Sequence, residues 1–226
     1  MKKILFAASE CVPFIKTGGL ADVVGSLPKC FDKEKYDVRV MIPNYMCIDQ
    51  KWKEKMTYVD HFYMDLCWRR QYVGIMEMEY EGVKFYFIDN EYYFSGERPY
   101  SDPRYDLEKF AFFSRAVLSA LPVIDFRPDI IHCHDYHTGL IPVYLKDSFA
   151  NGEFYQGIKS IMTIHNLKFQ GVWDIDTIKD LAGLSDYYFT SDKLKDYDNG
   201  NYLKGGIVYA ERSEERRVGK ECRSRW

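Results

Sequence analysis

Ile4-Leu5-Phe6-Ala7-Ala8 is a continuous apolar run, and Lys16-Thr17-Gly18-Gly19-Leu20 follows it after a short loop. The run has the length and composition of a buried strand. Beyond the loop, Leu20, Val23, Val24 and Leu27 fall at i, i+3, i+4 and i+7, which is one stripe of a helix. Tyr36-Asp37-Val38-Arg39-Val40-Met41-Ile42 then reads as a second strand, closed by Pro43-Asn44. Strand, helix and strand in about 40 residues make a βαβ unit, and that unit requires a parallel sheet. Two adjacent glycines where the loop becomes helix leave backbone N–H groups uncovered by any Cβ. A helix start also carries unpaired donors and partial positive charge. Lys16 adds a full charge beside them, so the stretch can seat a diphosphate. It is neither GxxxxGK[ST] nor GxGxxG. The same residues also read as a tight glycine turn with Lys16 solvated, and spacing alone favours the turn.

Working outward, Tyr72 to Tyr80 is β-prone, Glu81-Gly82 suits a turn, and Val83-Lys84-Phe85-Tyr86-Phe87-Ile88 follows. This predicts a β-hairpin inserted into the α/β frame. Asp89 to Asp102 is an aromatic, polar loop containing Tyr92-Tyr93-Phe94. It reads as a surface loop whose rings pack on the hairpin, with a wall of a sugar-binding cleft as the alternative. A helix is predicted from Asp102-Pro103 or Asp106 to Pro122, with Leu107, Phe110, Ala111, Val117, Leu118 and Leu121 facing the core. Asp129-Ile130-Ile131-His132-Cys133 and Lys159-Ser160-Ile161-Met162-Thr163-Ile164 are further strands. Helices are expected up to about Lys146, over 176–181 and over 201–209, the last with Leu203, Ile207 and Val208 as its apolar side.

Composition narrows the function. The 226 residues carry 46% hydrophobic side chains, 19 Tyr and 15 Phe, enough for a packed α/β core and unlike a disordered chain. A net charge of −3 offers no global field for nucleic acid or a membrane surface. No apolar run approaches the roughly 20 residues of a membrane helix. The apolar stretch after Met1-Lys2-Lys3 breaks at Ser9-Glu10, short of a signal sequence. Six cysteines without a CxxC pair read as reduced thiols, hence a cytoplasmic protein.

His132, His134, Asp135 and His137 raise the question of a metal, since imidazole and carboxylate ligate zinc or iron. They lie across a strand end, however, where only His132 and His134 share a face, and no HExxH helix is present. A different geometry suits them better. Ligands of open parallel sheets bind outside the carboxyl ends of the strands. Lys16, His134-Asp135 and His165-Asn166 each follow such an end, so three strand ends are expected to aim polar groups into one crevice.

Ser9-Glu10-Cys11-Val12-Pro13-Phe14-Ile15-Lys16-Thr17-Gly18-Gly19-Leu20-Ala21-Asp22-Val23 resembles the opening of bacterial glycogen synthases and plant starch synthases. His132 to Leu140 is similar to that family's HxHDWH segment, with Tyr136 where Trp is usual. Thr163 to Gly171 is similar to TIHNLxxQG, and Asn201 to Ala210 to FNFLKxGIxYAD. The resemblance covers residues 1 to about 212. It implies an α/β fold, a doubly wound, mostly parallel, Rossmann-like sheet with a hairpin insertion, forming the N-terminal half of a GT-B glycosyltransferase. The implied reaction moves glucose from ADP-glucose to the 4-OH at the non-reducing end of an α-1,4-glucan such as glycogen, with retention. His165, Asp135 and Lys16 are then the catalytic candidates. Lys16, Gly18, Gly19, Asp22 and Asn166 are the substrate-binding ones, with Lys16 and the glycines at the diphosphate and Asp22 toward the acceptor. No cofactor or metal is expected, because basic groups take the metal's role. The alternatives are a glucosyltransferase of the same architecture using another sugar nucleotide, and a non-catalytic glucan-binding or regulatory domain. After Arg212 the sequence leaves the family pattern for a charged, arginine-rich segment with no apolar run. Residues 213–226 are therefore expected to be a frameshift, vector or assembly scar that forms no strand, and the family's second, nucleotide-binding domain is not among these residues.

Overall fold

A computed structural model describes residues 1–215. The chain order is β1 (Lys2–Ala7), α1 (Gly19–Ser26), β2 (Tyr36–Pro43), α2 (Gln50–Lys53), β3 (Thr57–Leu66), β4 (Arg69–Tyr80), β5 (Val83–Asp89), α3 (Glu91–Phe94) and α4 (Pro103–Val123). Then follow β6 (Ile130–His134), α5 (Leu140–Lys146), β7 (Lys159–Ile164), β8 (Val172–Asp174), α6 (Ile175–Ala182), β9 (Lys195–Asp196), β10 (Asn199–Asn201), α7 (Tyr202–Tyr209) and β11 (Arg212–Glu215). Eight strands form one sheet in the order β11-β7-β6-β1-β2-β5-β4-β3, and β8-β10-β9 form a small second sheet.

The βαβ expectation holds: β1 pairs in parallel with β2, Ile4 opposite Val38. From β2 the sheet grows outward to β5. The chain then returns to the other side of β1 and lays down β6, β7 and β11, all parallel. The direction of growth reverses between β1 and β6. That reversal opens a crevice outside their carboxyl ends. The hairpin is present as β4 and β5, joined at Glu81-Gly82 with Tyr80 opposite Val83. Gly82 has φ +73, a conformation costly for a residue with a Cβ. The hairpin gains a further antiparallel strand, β3, at the sheet edge.

Leu5, Phe6, Ala7, Val40, Met41 and Ile42 are all fully buried, as strands covered on both faces must be. Phe85 and Phe87 share a face of β5 and receive Phe14 edge-on at 5.0 and 5.1 Å, with Trp52 of α2 beside it. Asp102 caps α4 by accepting from the N–H groups of Arg104 and Tyr105, and Pro103 occupies the first turn. Phe110, Ala111, Val117, Leu118 and Leu121 on that helix are fully buried.

Three expectations change. The 89–102 segment is largely exposed, as a surface loop is, but two of its rings pack against α4. Tyr93 and Phe94 form α3 and are 1% exposed, and Tyr93 stacks on Phe112 of α4 at 4.5 Å. Helix α7 buries Leu203 but leaves Ile207 and Val208 37% and 44% exposed. Its packed face is Gly205 and Gly206, where a Cβ on Gly206 would come within 3.0 Å of the Gly139 Cα. The close backbone approach, and not an apolar stripe, docks this helix. Finally, Arg212–Glu215 does form a strand, β11, parallel to β7 with Arg212 opposite Ile161. Ladder hydrogen bonds come from the backbone, so a charged stretch can occupy a sheet edge, where its side chains reach solvent. Glu211 fixes its entry by accepting from the Ser160 N–H at 2.6 Å. The expectation for 216–226 lies outside the described residues.

Candidate active site

Ser9 and Glu10 follow β1 in the loop beyond Ala8, and both are buried. The Glu10 carboxylate turns back on the following loop and accepts from the Thr17 N–H at 2.5 Å and the Thr17 hydroxyl at 2.8 Å. It is bonded to the Gly18 N–H as well. Burial raises its pKa, and these bonds only partly counter that. Gly18 is the N-cap of α1, and no side chain caps the helix. Neither Gly18 nor Gly19 has positive φ. A Cβ on Gly19 would meet nothing within 4 Å, and one on Gly18 only the Glu10 carboxylate at 3.7 Å. The fold therefore does not need glycine here for a tight turn. What the two glycines provide is bare backbone facing open space. Lys16 and Asp22 flank it as an ion pair of 2.8 Å, both about half exposed.

At the end of β6, Asp135 has φ 57 and ψ −178. That region belongs almost wholly to glycine and costs about 1–3 kcal/mol for other residues, so it persists only where the surroundings enforce it. Here they do. The Asp135 N–H donates to the Thr163 carbonyl at 3.0 Å. Its carboxylate accepts from the His165 N–H at 2.7 Å and the Asn166 N–H at 3.2 Å. Asp135 thus clamps the end of β7 to the end of β6. Burial pushes its pKa up to about 6 against the pull of those two bonds, with the Glu10 charge adding to the rise.

Three imidazoles stand behind the clamp. His132 and His134 lie 4.2 Å apart, and His134 stacks on His165 at 5.2 Å. Nδ1 of His134 is 2.9 Å from Nε2 of His165, and Nε2 of His132 is 2.7 Å from the Thr163 hydroxyl. Burial pushes the pKa of His132 down to about 4, and that of His134 well below the usual imidazole value. His137 points elsewhere: it stacks on Tyr100 at 4.9 Å, and burial lowers its pKa to about 3. Among the described residues no group of three or more His, Cys, Asp or Glu is placed to hold a metal ion.

The structure thus brings Glu10, Asp135, His134 and His165 together at adjacent strand ends, with Gly18 and Gly19 on the β1 side. Asn166 is exposed, and its side-chain oxygen is taken by the Lys168 N–H at 2.9 Å. A cavity of about 390 Å³ opens alongside, walled by Leu107, Tyr136, Phe169, Gln170 and Gly171. Sequence reasoning had not singled out Glu10 or Tyr100. Glu10 carried a readable signal, a carboxylate directly after a buried strand. Tyr100 carried none, because its place depends on a buried clamp in α4. There Lys109 pairs with Asp106 at 2.7 Å and holds the Pro99 carbonyl at 2.7 Å. This sets the Tyr100 hydroxyl 2.8 Å from Ser9.

Residues 3–214 match the family model for the starch synthase catalytic domain. The chain is 71% identical over 212 residues to a glycogen synthase of Lachnospira eligens, covering 94% of this chain and 44% of the relative. It is 66% identical over 211 residues to a glycogen synthase of Lachnoclostridium phytofermentans, again 44% of that protein. It therefore spans less than half the length of these relatives. Among solved structures it resembles the catalytic domain of starch synthase IV from Arabidopsis thaliana bound to ADP and acarbose. The TM-score is 0.79 at 25% identity, covering 94% of this chain and 44% of that one.

Proposed function

The chain belongs to the starch synthase catalytic domain family, and on that premise we propose that it forms one wall of a glucosyltransferase cleft. That cleft takes ADP-glucose as donor and the non-reducing end of an α-1,4-glucan as acceptor, with retention at the anomeric carbon. The observation carrying this reading is the pair Gly18-Gly19. Two glycines that the fold does not require leave an uncapped helix start open at the switch point of the sheet, as an anionic ligand would need. The solved relative bound to ADP and acarbose supports a nucleotide diphosphate and a glucan-like sugar as the classes of ligand.

In this reading the departing diphosphate meets the N–H groups in the first turn of α1, from Gly19 onward, and the Lys16 ammonium. Charge developing on the leaving group is what such fixed donors stabilise. Lys16 exchanges its Asp22 partner for the diphosphate and frees Asp22 toward the acceptor. His165 lies against the donor glucose, with its position set by the Asp135 clamp. Asn166 borders the same sugar. Leaving-group charge is met by N–H groups and an ammonium, so the chemistry runs without a metal ion. The five described cysteines are unpaired, and no helix among the described residues is long and apolar enough to cross a membrane.

The test is a chimera joining residues 1–212 of this chain to the remaining length of the Lachnospira eligens glycogen synthase. It is assayed for glucose incorporation from ADP-glucose into glycogen. We expect turnover within a few-fold of the relative, and none from the 226-residue chain by itself, because positioning of donor against acceptor supplies much of the rate. A folded chimera that binds glycogen but transfers no glucose would favour the non-catalytic, glucan-binding alternative.

A further inference from the structure

The loop between β1 and α1 is held in two different ways. Its first half is tied by backbone bonds. Cys11 and Ile15 exchange N–H to carbonyl bonds of 3.1 and 3.0 Å, and the Val12 N–H donates to the Ala21 carbonyl at 3.1 Å. The second half lacks such ties. Lys16, Thr17 and Gly19 are exposed, and among the described residues no backbone–backbone bond outside α1 fixes residues 16–18.

What reaches this second half from the interior is the Glu10 carboxylate. Glu10 is 3% exposed, and its carboxylate accepts from the Thr17 N–H, the Thr17 hydroxyl and the Gly18 N–H. Among the described residues no cation pairs with it, because the nearby Lys16 ammonium is bonded to Asp22 at 2.8 Å. A buried carboxylate without a cation depends on its hydrogen bonds, and every bond described for this one goes to the loop. The titratable groups facing it are Asp22 on α1, Asp135 after β6, its neighbour Cys11, and the Tyr45 and Tyr100 hydroxyls. Burial, with the Asp22 charge, raises the Glu10 pKa, and the bonds to Thr17 and Gly18 oppose that rise. An ionised carboxylate accepts at both oxygens, whereas a glutamine amide has one acceptor and would turn its NH₂ toward a donor.

We propose that Glu10 is a positioning residue: its ionised carboxylate holds the Thr17 and Gly18 N–H groups and thereby fixes the 16–19 loop with the N–H groups from Gly19 onward open to the crevice. The anchor follows from burial and hydrogen bonding alone. Its use, setting those donors against the departing diphosphate, rests on the function proposed above.

The test follows the Thr17 and Gly18 amides by ¹H–¹⁵N NMR in the full 226-residue chain, with and without Glu10→Gln, from pH 7.5 to pH 4. In the parent chain both amide protons should shift together, with the midpoint of the Glu10 carboxyl carbon and above the ordinary glutamate value of about 4.3. Glu10→Gln should abolish that shift, which separates it from the titration of Asp22 and Asp135. It should also speed exchange of both amides by about tenfold or more, as loss of a charge-assisted hydrogen bond does. Amides that do not follow the Glu10 carboxyl in the parent chain would overturn the proposal, whether or not the variant folds. So would unchanged exchange at both amides in a folded Glu10→Gln chain. In the chimera, Glu10→Gln should lower kcat by about 100-fold, the scale of an ångström's misplacement. KM for ADP-glucose should move far less, because the loop's donors act on charge that develops in the transition state. An unchanged kcat with the expected NMR behaviour would count against the function and not against the anchor.

Discussion

Asp135 combines a strained backbone with a carboxylate that holds the His165 and Asn166 N–H groups. Its place after an apolar strand, between His134 and Tyr136, marked it as a strand-end group. Its backbone strain could not be foreseen, because only the register of β6 against β7 brings Thr163, His165 and Asn166 to it. Two substitutions separate the strain from the clamp. Asp135→Asn retains an acceptor for both N–H groups, and asparagine tolerates positive φ better than most residues. Asp135→Gly relieves a strain of about 1–3 kcal/mol but removes the acceptor. Amide hydrogen exchange at His165 and Asn166 should stay slow in Asp135→Asn and become fast in Asp135→Gly, even if the glycine variant is as stable overall. Slow exchange at both amides in the glycine variant would show that the carboxylate does not hold the end of β7.

At the scale of elements, the parallel strands were the most legible part of the chain. Ile4 to Ala8 and Val40 to Ile42 are apolar without alternation, as strands covered on both faces are. β11 was not legible, because an edge strand is held by its backbone and Arg212 to Glu215 offers no apolar signal. Strand β6 with the segment after it carries a further consequence. It holds three imidazoles whose pKa values are depressed by burial, His132 to about 4, His137 to about 3 and His134 well below the ordinary value. A depressed imidazole stabilises the fold above its ordinary value near 6.5, and that contribution disappears as pH falls through the folded value. Asp135 acts oppositely. With its pKa raised to about 6, its contribution is present below the ordinary carboxylate value and is lost as pH rises through 6. Each is worth roughly 3 kcal/mol at about 1.4 kcal/mol per tenfold, so His132 and Asp135 nearly offset. His134 and His137 add to the loss on acidification, and the raised Glu10 carboxyl opposes it. Urea midpoints should fall on acidification from about pH 6.5 to pH 4, and His137→Asn should flatten that fall. A midpoint that is level or rises over this interval would mean that these rings are not held neutral in the folded chain.

For the whole molecule, the reversal of strand order between β1 and β6 makes the site, and no local pattern contains that reversal. The sequence motifs mark three loops, and the topology brings them to one edge. On the function proposed above, this crevice forms one wall of the cleft; the chain spans 44% of its glycogen synthase relatives. The aromatic loop after β5 entered the site for a reason that spacing hid: the Asp106–Lys109 pair is buried inside α4 and holds Tyr100 over Ser9. The central claim is that this crevice handles the donor. Its most direct measurement is glucose transfer from ADP-glucose to glycogen by the chimera, compared with its Lys16→Ala and His165→Ala variants. Removing one fixed donor to a developing charge typically costs about 100- to 1,000-fold in turnover. Each variant should lose turnover on that order while keeping the parent's circular dichroism and thermal midpoint. Two folded variants that transfer glucose within a few-fold of the parent chimera would contradict the account.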